Sequence, residues 1–429
     1  MAPVIVLVSL FCATLASSTT GARVELTRIH SDPGVTASQF VRDALRRDMH
    51  RHNARQLAAS DGTVSAPIRK SPPNTPAEYM MTLAIGTPPV SYQATADTGS
   101  DLIWTQCAPC GSQCVQQPTP LYNPSSSTTF SVLPCDSALS ICAAESAGAT
   151  PPPGCTCTYN QTYGLGWTSG TQGSETFTFG STPADQARVP GIAFGCSNAT
   201  SNDFNGTAGI VGLGRGDLSL VSQLSASKFS YCLTPFQDTN STSTLLLGPS
   251  AALNATGVRS TPFVDNPTQP HYYLNLTGIS LGTTPLSIAP DAFALKANGT
   301  AGGFIIDSGT TITTLVDAAY QQIRAAVLSL VTTLPTSTEG GLDLCFVLPS
   351  PTSAPPAMPD MTLHFDGGDM VLPADNYMIS ASGLWCLMMQ TGINGLPSIL
   401  GNYQQQNMHI LYDLSQETLS FAPARCSAL

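Results

Sequence analysis

The chain has 429 residues, 42% of them hydrophobic and only 10% charged, with 36 glycines and 34 prolines. That is too long for one ordinary core and too apolar for a disordered chain, and the many short apolar runs broken by Ser, Thr, Asn and Gly favour strands and turns over long helices. The formal net charge of −11 is uneven: residues 1–70 hold nine of the 16 basic residues and five of the 27 acidic ones, leaving −15 for the remainder, a poor nucleic-acid binder.

The apolar run Pro3 to Leu15, followed by small residues up to Ala22, reads as a secretory signal over residues 1–22, although Lys and Arg are missing ahead of the run. The run is short for a bilayer, and the tail SFAPARCSAL is no anchor signal, so no membrane anchor is expected. Residues 23–76 form a basic leader that suits electrostatic docking on the acidic body as a removable segment. Within it, Phe40, Val41, Ala44 and Leu45 fall at helical spacing between Ser38 and Arg55. The leader ends in the linker Ser71-Pro72-Pro73-Asn74-Thr75-Pro76.

Beyond the linker the chain repeats itself. The first copy runs Tyr79, Leu83, Ile85, Gly86-Thr87-Pro88, then Asp97-Thr98-Gly99-Ser100; the second runs Tyr273, Leu276, Ile279, Gly282-Thr283, Pro285, then Asp307-Ser308-Gly309-Thr310. Each later meets an aliphatic pair plus glycine, Ile210-Val211-Gly212 and Ile399-Leu400-Gly401. Two related lobes are therefore expected, over residues 77–259 and 260–429, with the cysteine-dense stretch Cys107 to Cys157 as an insertion in the first.

One Asp-Thr/Ser-Gly triplet means little; two in matching frames mean a great deal. A strand leading into Asp97 or Asp307 delivers a carboxylate to a turn, where glycine permits a tight reversal and the hydroxyls of Thr98 and Ser308 can fix the loop. Ser100 and Thr310 stand where a hydroxyl can reach the outer carboxylate oxygen. Two such carboxylates face to face cannot both ionise and share one proton, so one acts as base and the other as acid. The pair can activate a water against a peptide carbonyl without a metal, a cofactor or a covalent intermediate.

The triplets, the duplicated frame and the aliphatic-aliphatic-Gly pairs resemble pepsin-like aspartic proteases, and the cysteine-rich insertion resembles the nepenthesin-type plant subgroup. The resemblance covers about residues 77 to 429. It implies an all-β, bilobal fold with the cleft between lobes, polypeptide substrates, a monomer, and a flap hairpin. Tyr163-Gly164 fits the flap motif, and Trp104 matches the tryptophan whose indole hydrogen-bonds the flap tyrosine in relatives. Leu165 departs from the small polar or acidic residue usual there. The nepenthesin order further implies Cys107–Cys110, Cys114–Cys196, Cys135–Cys157, Cys142–Cys155, Cys232–Cys426 and Cys345–Cys386. Some plant relatives of this fold are instead non-catalytic binders that inhibit glycoside hydrolases; they typically lack one or both aspartates.

Secretion agrees with twelve cysteines left once Cys12 departs, and with sequons at Asn160, Asn198, Asn205, Asn240, Asn254, Asn275 and Asn298. The expected address is extracellular, in the apoplast or cell wall, with the vacuole as an alternative. Two other motifs compete. Gly278-Ile279-Ser280-Leu281-Gly282 matches the GxSxG elbow of serine hydrolases, but Thr283-Thr284-Pro285 opposes the helix that elbow requires. Cys107-Ala108-Pro109-Cys110 reads as structural rather than redox-active or zinc-binding, and the histidines carry no HExxH metal motif.

Overall fold

The computed structural model describes residues 22–28, 41, 44, 79–110, 113–141, 155–163, 166–180, 186–238, 240–338 and 341–429. The body is all-β, as the short apolar runs predict. A 19-stranded sheet runs through both lobes, with two four-stranded sheets and one two-stranded sheet beside it in the second lobe. Among the described residues the principal helix is Asp317–Leu330, which packs Ala319, Tyr320, Ile323 and Val327 against the core at helical spacing.

The duplication is visible in backbone pairing. Val90–Asp97 runs parallel to Gly209–Gly212, with Asp97 opposite Gly212; Phe304–Ile306 runs parallel to Ser398–Leu400, with Ile306 opposite Leu400. Each aspartate is thus delivered by a buried strand flanked by the aliphatic pair of its own repeat. Both closing glycines are required for space: a Cβ at Gly212 would lie 2.3 Å from the Asp101 backbone, and one at Gly401 would lie 2.6 Å from the Thr311 carbonyl. The lobes are joined through Lys228–Cys232, which pairs antiparallel with Met408–Asp413. Across that seam Phe229 and Tyr412 stack at 4.3 Å, and Tyr231 and Tyr412 share a 2.8 Å hydrogen bond.

The leader contributes to the fold in a way its charge does not suggest. Ala22–Arg28 is a strand between Ser243–Leu247 and Tyr79–Ile85, pairing Val24 with Leu245 and Leu26 with Met81. Val24 and Leu26 are buried while Arg23 and Glu25 face outward, a period-2 alternation that suits a strand covering one face of a core. Val41 and Ala44 are helical and buried against Ile312, Leu342 and Tyr403 of the second lobe. The described leader residues are held by sheet pairing and apolar burial. Phe40, Leu45, the linker, Arg69, Lys70 and residues 1–21 lie outside the described residues.

Two expected disulfides are present, Cys232–Cys426 and Cys345–Cys386, the latter between directly opposed strand residues. Four of the implied pairings, Cys107–Cys110, Cys114–Cys196, Cys135–Cys157 and Cys142–Cys155, are corrected. Cys107 bonds Cys196, not Cys110, because Trp104–Gln106 runs parallel beside Cys196 and the Cys107 N–H donates to the Ser197 carbonyl. Cys110 then closes a short loop with Cys114. Cys135 bonds Cys155, not Cys157, because the bridge between Pro134 and Thr156 sets their neighbours side by side. Cys157 is also disulfide-bonded, and Cys142 lies outside the described residues. Spacing alone did not reveal which strands would lie adjacent.

Candidate active site

Each aspartate is held by its own loop in the same way. The Gly99 N–H and Ser100 hydroxyl donate to Asp97 at 3.0 and 2.6 Å; the Gly309 N–H and Thr310 hydroxyl donate to Asp307 at 2.8 and 2.7 Å. In each case one carboxylate oxygen takes the backbone donor and the other takes the hydroxyl. Such charge-assisted bonds fix rotamers and favour the ionised form. Both side chains are almost fully buried, Asp97 at 3% and Asp307 at 0% exposure, so these donors replace the water that an exposed carboxylate would have.

The two loops also hold each other. The Thr98 N–H donates to the Ser308 hydroxyl at 3.1 Å and the Ser308 N–H to the Thr98 hydroxyl at 2.9 Å, a reciprocal pair across 210 residues. Ser308 donates on to the Ala96 carbonyl. Gly99 explains the closeness: a Cβ there would meet Asp307 Oδ2 at 2.5 Å. Neither Gly99 nor Gly309 adopts a positive φ, so neither makes the backbone reversal expected of it, and Gly99 instead supplies room for the facing carboxylate.

The flap residues sit where the resemblance implies. Thr158–Thr162 and Trp167–Phe179 form an antiparallel hairpin, and the Tyr163 N–H closes on the Gly166 carbonyl at 2.8 Å. Gly164 and Leu165 lie outside the described residues. The Tyr163 ring lies 6.4 Å from Trp104, and the indole N–H and the phenol are buried beside each other, outside ordinary hydrogen-bond geometry but near enough for the indole to favour the phenolate. Phe204, which the sequence did not single out, explains the geometry. It meets both rings edge-on, at 5.0 Å from Trp104 and 5.7 Å from Tyr163, and so fixes them by packing. Burial, with nearby Tyr159 and the Asp97 charge, pushes the Tyr163 phenol well above its usual range, while the facing indole favours the phenolate; the ring stays a neutral donor.

Two further polar groups support the loops. Behind Asp307, buried Gln405 donates to the Asp307 and Leu400 carbonyls, Asn402 donates to the Ser308 carbonyl, and Tyr231 donates to Gln405. The run Gln404-Gln405-Gln406 after the second aliphatic-aliphatic-Gly was the legible signal. Behind Asp97, Asp101 accepts the Gly216 N–H at 2.8 Å, and burial, opposed by that bond and aided by Asp217, pushes its carboxyl up to about 6. Six of the seven sequon asparagines are exposed and Asn205 is half-buried.

Comparison with known proteins agrees with this geometry. The families described as xylanase inhibitor N-terminal and C-terminal match residues 79–249 and 271–423. The chain is 44% identical to aspartic proteinase nepenthesin-1 of Nepenthes gracilis, over 95% of this chain and 91% of that protein. It is 40% identical to nepenthesin-2 of the same species, with the same coverage. Among solved structures, that titled edgp superposes with a TM-score of 0.67 at 18% identity, covering 95% of this chain and 96% of that one. Soybean basic 7S globulin gives 0.66 at 18% identity, covering 95% and 98%. With two repeats, two facing carboxylates and relatives of this similarity, the chain belongs to the pepsin-like aspartic proteases of the nepenthesin type.

Proposed function

We propose that this aspartic-type endopeptidase cuts polypeptides through Asp97 and Asp307 acting as one shared-proton pair. The observation that carries the reading is the matched set of donors on two carboxylates whose loops approach so closely that Gly99 has room for no side chain. The ionised member takes a proton from a water, the water attacks the peptide carbonyl, and the protonated member donates to the developing oxyanion. Tyr163 covers the site as a neutral phenol over Trp104 and Phe204. The family description as xylanase inhibitors favours a second reading, a binder of glycoside hydrolases. A binder has no need of two intact, mutually bonded aspartate loops. Incubation with denatured globin at acid pH separates the readings: cleavage abolished by pepstatin supports the protease, and intact globin supports the binder.

The chain is further proposed to be secreted, glycosylated and made as a zymogen with residues 23–76 as the propeptide. Support comes from the sequons, from five disulfides among the described residues, and from the leader strand Ala22–Arg28 wedged between two strands of the first lobe. Among the described residues no helix is long and apolar enough to cross a membrane. Precursor held at about pH 4, near ordinary carboxyl values, is expected to shorten by some 50 residues on a gel, a length set by the leader. A precursor that stays full length there while cleaving substrate at its maximal rate would contradict the zymogen reading.

A further inference from the structure

The GxSxG segment has the partners that its sequence context appeared to deny it. Leu276–Leu281 pairs antiparallel with Met361–Phe365, which pairs with Gly368–Leu372. Along these strands Ile279, Leu281, Met361, Leu363, Phe365, Met370 and Leu372 point into the core. The alternate positions Gly278, Ser280, Thr362, His364, Asp369 and Val371 therefore share the outer face. Gly278 stands opposite His364, and His364 opposite Asp369. The imidazole lies over Gly278, where a Cβ would make an ordinary 3.8 Å contact with His364 Cδ2. The result is that Ser280 Oγ lies 2.7 Å from His364 Nε2, and His364 Nδ1 lies 2.8 Å from Asp369 Oδ1. These are the contacts of a nucleophile, a base and an orienting carboxylate.

We infer that Ser280, His364 and Asp369 form a second nucleophilic centre, separate from the aspartate pair, that takes acyl or phosphonyl groups from small activated esters. Asp369 holds the Nδ1 proton, which leaves Nε2 as the acceptor facing the serine hydroxyl. With an aryl ester, the bond from Ser280 Oγ to the acyl carbon forms as the bond to the aryl oxygen breaks. The hydroxyl proton passes to Nε2 and on to the departing aryl oxide, and water releases the acyl group by the reverse sequence. Ser280 is only 7% exposed, opposite Pro285 and Thr362 on its neighbouring strands, so a small acyl or phosphonyl donor rather than a polypeptide is the expected substrate. Thr362, opposite Ser280 in register, places a hydroxyl on the same face to meet the oxyanion. One side-chain hydroxyl is a poorer provision than preorganised backbone donors, whose loss costs about 10²- to 10³-fold. Stoichiometric labelling is therefore the expected readout, with slow turnover.

On the outer face of the flanking strands Asp369 is the titratable neighbour of His364. From the adjacent strand Arg259–Val264, Arg259 approaches at Gly368 with its guanidinium on the Val258 carbonyl. The test is an alkyl fluorophosphonate probe applied to the full chain at pH 8, with the site read by peptide mass spectrometry. In this reaction the Oγ–P bond forms, fluoride leaves and the proton goes to His364. Ser280 should be labelled. Labelling should fall by at least about 10² in His364→Gln, the lower range for loss of a general base, and disappear in Ser280→Ala. Undiminished globin cleavage at acid pH would show that both variants are folded. Failure to label Ser280 at pH 8, or equal labelling in wild type and His364→Gln, would overturn the inference.

Discussion

Asp97 and Asp307 accept the same two donors in the same geometry, yet the residue four places on is Asp101 in the first lobe and Thr311 in the second. Each is crowded by the glycine that ends its aliphatic pair, Gly212 against Asp101 and Gly401 against Thr311. Behind Thr311 lies a fully paired amide cluster, Asn402, Gln404 and Gln405, that holds the Asp307 loop by neutral hydrogen bonds. Behind Asp97 the half-buried Asp101 carboxyl packs on the turn Gly214-Arg215-Gly216, where the Gly214 N–H donates to the Ser100 carbonyl. That turn reaches the other lobe through Arg215, paired with Glu417 at 2.5 Å and placed over the Phe263 ring. Identical first contacts on unlike supports mean that the two half-sites should share chemistry and differ in their response to pH.

The largest effect tests the shared part. Asp97→Asn and Asp307→Asn should each lower kcat on globin by more than about 10², the lower range for an acid–base group, with secretion and disulfides intact. An effect confined to one of the two would break the symmetry outright. Next come the outer hydroxyls. Ser100→Ala and Thr310→Ala each remove one charge-assisted bond of about 1.5–3 kcal/mol, so each should cost roughly 10- to 100-fold in kcat by an equal factor, measured under the same conditions.

The smallest effect probes the difference. Folded Asp101 holds its proton up to about pH 6, whereas an unfolded aspartate releases it near 3.9. Between these values the folded state binds more protons, so stability falls as pH rises through the window and is recovered on acidification. Asp101→Asn keeps an acceptor for the Gly216 N–H and removes that slope. The variant should match wild type at pH 4 and be more stable at pH 7 by on the order of 1–3 kcal/mol, seen as a rise of a few degrees in Tm. A variant less stable than wild type at pH 7 would show that the carboxylate supports the turn rather than straining it.

Much of the site was legible because the repeat is written in residue types with narrow uses: the triplets, the glycine-closed aliphatic pairs and the flap Tyr163. What escaped depends on which strands become neighbours. The Cys107–Cys196 and Cys135–Cys155 bonds follow from strand pairings set by the tertiary fold, not from spacing. Phe204 ends the short 3-10 helix Asn202–Phe204 and touches Trp104 only after the sheet has closed. His364 and Asp369 reach Ser280 by register across three strands. The strand Ala22–Arg28 was readable in principle, since Arg23-Val24-Glu25-Leu26 alternates with period 2, but the surrounding charge drew attention to electrostatics instead.

The central claim, one proton shared by two carboxylates, is tested most directly by the pH dependence of kcat/KM on a peptide that carries no ionisable side chain. Two ionisations of a single pair predict a bell with both limbs below neutrality, lost as a whole in Asp97→Asn and in Asp307→Asn. A profile that peaks at or above neutrality, or that keeps its acid limb in either variant, would contradict the claim.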